Sequence, residues 1–123
     1  MELNWLAIIV GAIAAFMLGW LWYCPAVFGK KWAEGSGVEL GSASAMPVFA
    51  MLMQLAAVFL LALVVGITAT SDALITAILA ILAATAFSVS NGAFVKKSNY
   101  VLMVDGGYII LGGAVIILIQ GLL

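Results

Sequence analysis

One residue of this sequence asks for a chemical account before any other. Asp105 stands in an apolar stretch that runs from Tyr100 to Gly121 without another charge. A carboxylate in such surroundings needs a proton or a partner, and ionisable groups inside membrane spans tend to bind ions, protons or polar substrates. At helical spacing Asp105, Tyr108 and Gly112 share a face. Gln54, Ser88 and Asn91 are further polar side chains set in apolar stretches. Gln54 and Asp105 fall about 8 to 11 Å inside their segments at 1.5 Å rise per residue, so one polar layer is expected from Gln54, Ser88, Asn91, Asp105 and Tyr108. Trp22 and Tyr23 should border that layer from the first segment. The cluster reads either as a small binding site or as residues that satisfy one another and fix helix register. Lys97 is the expected counter-ion of Asp105.

Other chemistry has little material to work with. The chain has no histidine and a single cysteine, Cys24, which rules out an intrachain disulfide, a zinc cluster of the usual kind and imidazole ligation of a haem. Met46, Met51, Met53 and Met103 are too dispersed for a soft-metal site and read as packing residues. No nucleophile–base pair, phosphate-binding loop or carboxylate dyad stands out, so no catalytic residue, metal or cofactor is assigned. With a net charge of −1 the chain has no basic field to attract nucleic acid.

The elements that would position Asp105 follow from composition. Of 123 residues 67% are hydrophobic and 7% charged, too few charges to cover a water-soluble domain of this size. Lipid is the solvent that fits. Leu3 to Tyr23 is uncharged and, at about 21 residues, gives about 31 Å of helix, enough to cross a hydrocarbon core. Glu2 precedes it where a secretion signal would be basic, so the segment is read as a retained span. Three more spans are expected at about 47–66, 73–94 and 100–121, making an all-α membrane protein: one domain over 1–123, a compact bundle of four transmembrane helices. Cys24-Pro25 ends the first span, because proline disfavours helical geometry in the residue before it. Gly35 to Ser44 reads as a loop, with Ser44 a cap and Pro47 in the first turn of the second span.

All four lysines, Lys30, Lys31, Lys96 and Lys97, fall in the first and third connections. The positive-inside rule puts those connections in the cytoplasm and both termini on the outer side of the plasma membrane. Trp20, Trp22, Tyr23, Trp32 and Tyr100 would gather at the inner interface and Trp5 near the outer one. Spans associate by close backbone approach, so small residues mark contact faces. Gly11, Ala15 and Gly19 form such a stripe in the first span, Ala77, Ala80 and Ala84, continued by Ser88 and Asn91, another in the third, and Gly112 adds to the fourth. Expected partners are membrane lipids and other transmembrane helices, from a second copy or a larger complex.

One longer pattern carries a resemblance. Asn4-Trp5, then Gly19, Trp22, Tyr23, Pro25, Phe28, Gly29, Lys30 and Trp32, then Met46-Pro47, and finally Asp105, Gly107 and Tyr108 resemble the domain-of-unknown-function 1761 family over nearly the whole chain. These are small prokaryotic integral membrane proteins, so the resemblance implies four spans and names no reaction. Members often carry a histidine after the last tyrosine, where this chain has Ile109. Read from the residues themselves, Trp22, Tyr23, Pro25, Phe28, Gly29 and Trp32 fix a helix exit at the interface. Two functions are weighed: a non-catalytic packing or accessory subunit, and a small-solute or ion transporter or channel protomer with its polar site at Asp105. Small multidrug exporters carry a glutamate in their first span, which Leu3 to Tyr23 lacks.

Overall fold

The computed structural model describes residues 2–36 and 48–123. Four helices are long and apolar enough to cross a membrane: α1 (Trp5–Trp22), α3 (Val48–Ala69), α4 (Leu74–Phe94) and α5 (Asn99–Leu122). Between α1 and α3 lie a π-helical turn (Pro25–Gly29) and the short helix α2 (Lys30–Ser36). The protein is thus an all-α four-helix membrane bundle. The expected Ser44 cap and the Met46-Pro47 pair lie outside the described residues.

Helix ends follow local chemistry. The Asn4 side chain accepts from the Ala7 amide at 3.1 Å and opens α1. Ser98 does the same for α5 through Val101. At the far end of α1, Cys24 is extended (φ −65°, ψ 140°) because Pro25 follows it. The π turn then closes with the Gly29 amide donating to the Cys24 carbonyl at 3.0 Å. A Cβ at Gly29 would run into the Tyr23 carbonyl, so the turn depends on glycine there. Between α3 and α4 the chain reverses through Thr70–Asp72, with Asp72 left-handed at φ 52°.

Two boundaries differ from expectation. Gly35 and Ser36 belong to α2 rather than to a loop. Ala33 is buried, and a seven-residue helix is too short for periodicity to announce it. The second span passes through Gly66 and ends at Ala69. Gly66 is a packing position, since a Cβ there would stand 2.6 Å from the Ile8 side chain.

Packing centres on α5, which touches every other helix, and on α1, which packs along both α5 and α3. α1 and α5 run antiparallel. Gly11 meets Ile116, Ala15 meets Gly112 and Gly19 meets Tyr108. The small-residue stripe of α1 therefore faces α5, with Gly11, Ala15 and Gly19 all buried. Ile8, Ala12, Val58, Ala62, Val65, Ala77 and Ile116 complete the core.

The stripe of α4 does something else. Ala77 is buried, Ala80 half-buried, Ala84 exposed, Ser88 half-buried and Asn91 exposed. Contact with α5 is made by Ile81 over Gly113 and by Thr85 and Val89 over Gly106. Here α5 supplies the small residues and α4 the large ones, so α4 is rotated away from the face its alanines suggested. A cavity of about 410 Å³ opens between α3, α4 and α5, lined in part by Gln54, Ala57, Ala80, Ala84 and Tyr108.

Candidate functional site

The site is built where the end of α1 turns back on the first turns of α5. Trp22 is the last residue of α1, and its indole donates to the Val104 carbonyl at 2.9 Å. Its ring rests on Phe28, centroids 4.6 Å apart, so the π turn packs against the helix it follows. Gly107 lies beside this ring, where a Cβ would make an ordinary contact at 3.4 Å.

Asp105 stands next to that contact. Its Oδ1 accepts the Tyr23 hydroxyl at 2.6 Å and the Trp32 indole N–H at 2.8 Å. Tyr23 caps α1, Trp32 lies on α2 and Asp105 on α5, so one carboxylate oxygen ties three elements together. The Tyr23 ring sits edge-on to Trp32 at 5.2 Å and to Tyr108 at 5.8 Å. Edge-to-face pairs of this kind add about 0.5 to 1.5 kcal/mol beyond burial.

Tyr108, one turn deeper on α5, donates its hydroxyl to the Ala15 carbonyl at 2.7 Å. Gly19 makes that possible. A Cβ at position 19 would stand 2.8 Å from the Tyr108 oxygen and 2.9 Å from the ring.

The five residues expected to form one polar layer are therefore divided. Asp105 and Tyr108 take their partners from α1 and α2, and Gln54 lines the same cavity as Tyr108. Ser88 and Asn91 stay apart, because the rotation of α4 presents Ile81, Thr85 and Val89 to α5 instead. Lys97 is not the partner of Asp105. Its side chain runs along Gly92 on α4, while neutral donors on Tyr23 and Trp32 meet the carboxylate. Among the described residues no group of three His, Cys, Asp or Glu side chains could hold a metal ion.

The residues that carried the family resemblance thus converge. Gly19, Trp22, Tyr23 and Trp32 from the first pattern meet Asp105, Gly107 and Tyr108 from the last, more than 70 residues on, while Phe28 and Gly29 pack behind Trp22 and Tyr23. The family model described as "Protein of unknown function (DUF1761)" matches residues 6–121. The chain belongs to the DUF1761 family. Comparison with curated proteins and with solved structures finds no match. In this DUF1761 protein, Trp22 and Tyr23 were expected to anchor a helix exit and to border the polar layer. They hydrogen-bond the α5 backbone and the Asp105 carboxylate directly. Ala15 was read as a packing residue and Val104 not at all; as acceptors both act through backbone carbonyls, for which a sequence carries no signal.

Proposed function

We propose that this DUF1761 protein is a non-catalytic subunit of a membrane assembly, built from its own copies or with a larger complex, its lysine-bearing end facing the cytoplasm. The observation that carries this reading is the incomplete cover of α3 and α4. Ala50, Gln54 and Ala57 share a face of α3 and are exposed, and Ala84 of α4 is exposed beside them at the cavity. In hydrocarbon such a face gains from a neighbouring helix, through close backbone approach and a hydrogen bond to the amide. Asp105 already has two internal donors, which tie it into the bundle. Native mass measurement of gently extracted protein tests the proposal. Dimers or co-purifying subunits are expected, and a strict monomer with no companion rejects it.

A second reading, a transporter or channel protomer, draws on the cavity itself. Its volume of about 410 Å³ lies in the range of ligand sites, and Gln54 and Tyr108 give it polar groups. Tyr23 links Tyr108 to Asp105. On this reading Asp105→Asn abolishes flux in proteoliposomes while sparing assembly. Unchanged flux would reject the role.

A further inference from the structure

All four lysines stand at one end of the bundle, on α2 and on the turn between α4 and α5, while Glu2 and Asp72 lie at the other. The two lysine pairs are brought towards one another by packing. Along α2, Lys31 sits over the Tyr100 ring with its Nζ 5.5 Å from the centroid. One turn on, Gly35 lies against Ser98 and Val101, so α2 follows the first turn of α5 directly after Lys96 and Lys97. Lys96 is left-handed (φ 60°), which turns the chain sharply into α5. Lys97 is half-buried, its stem laid along Gly92, an arrangement that leaves the ammonium at the bundle end.

We propose that α2 and the α4–α5 turn form a seat for the phosphate of an anionic phospholipid, with Lys30 and Lys31 on one side and Lys96 and Lys97 on the other. Charge complementarity supports an anion, since Glu34 is the one acidic residue of α2 against these four cations. The apolar surroundings select a lipid over a soluble phosphate. Phe94 and Val95, immediately before the lysines, are 83% and 68% exposed, and they need alkyl chains to cover them. The seat is held in place by the Trp32–Asp105 bond and the buried Ala33, unlike a mobile basic tail.

The test offers the full chain equal amounts of phosphatidylglycerol and phosphatidylcholine in vesicles, then reads retained lipid per chain by native mass spectrometry. Wild-type protein should retain the anionic lipid preferentially. Each lysine near an anionic surface is worth about fivefold, so Lys31→Gln with Lys97→Gln should lower the preference about 25-fold. Trp32→Phe keeps every lysine but frees α2 from Asp105, and should lower the preference several-fold. The proposal is overturned by equal retention of the two lipids, by an unchanged ratio in the double lysine variant, or by an unchanged ratio in folded Trp32→Phe, since a diffuse surface field would then suffice. If Trp32→Phe does not fold, the surface lysine pair still decides.

Discussion

The seam between α1 and α5 and the gap between α3 and α4 use the same kinds of residue to opposite effect. Along the seam, Gly11, Ala15 and Gly19 meet Ile116, Gly112 and Tyr108 in antiparallel register, and each glycine admits a larger side chain from across the way. In the gap, Ala57 of α3 and Ala80 and Ala84 of α4 line about 410 Å³ of open space. Small residues therefore do not by themselves bring helices together in this protein. What closes the seam is the polar ending it leads to, where Tyr108 bonds Ala15, Trp22 bonds Val104, and Tyr23 and Trp32 bond Asp105. In lipid no hydrophobic effect drives one apolar helix against another, so such bonds set which faces meet.

That contrast breaks most readily at Gly19. Gly19→Val places branched carbons where the Tyr108 ring lies and displaces its hydroxyl from Ala15. Overpacking together with a lost hydrogen bond should cost about 3 kcal/mol, read as reversible unfolding in bicelles or mixed micelles. Asp105→Ala comes next. It strands the Tyr23 hydroxyl and the Trp32 N–H, for a loss of about 2 kcal/mol. Asp105→Asn keeps an acceptor oxygen and should lose less than half of that. Trp22→Phe deletes one bond to the Val104 carbonyl and should cost about 1 kcal/mol. At the other extreme, Ala84→Leu points into the open cavity and should change the stability of a single chain by less than about 0.5 kcal/mol. It should nonetheless weaken any assembly through the α3–α4 face, visible as a shift towards monomer in native mass spectra. If Ala84→Leu unfolds the chain as Gly19→Val does, the two regions are not different in kind.

The sequence made some of this legible and hid the rest for identifiable reasons. Four spans could be read because an apolar run of about 20 residues with at most one charge is the length of helix that a hydrocarbon core demands. The stripe of α1 could be read because three small residues four apart leave one face to choose. The stripe of α4 misled because Ala80 and Ala84 lie beside Ile81 and Thr85, and hydropathy does not say which of two adjacent apolar faces meets α5. Helix α2 was missed because seven residues with two lysines resemble a loop. The need of Asp105 for a partner was visible, and attraction between opposite charges pointed to Lys97. The structure uses neutral donors from Tyr23 and Trp32: helix depth already put Tyr23 at the border of the polar layer, whereas Trp32 read only as an interfacial, helix-exit residue. The carbonyl partners, Ala15 and Val104, belong to the backbone and have no side-chain signature.

The central claim is that Asp105 acts as the clamp joining the end of α1 and the short helix α2 to α5. A double-mutant cycle with Trp32→Phe and Asp105→Ala, read as unfolding free energy in one lipid mixture, tests it most directly. A shared hydrogen bond predicts that the two losses are coupled by about 1 kcal/mol, the double variant being that much more stable than the sum of the singles implies. Additive losses would contradict the clamp and leave Trp32 as an interfacial anchor with no energetic tie to Asp105.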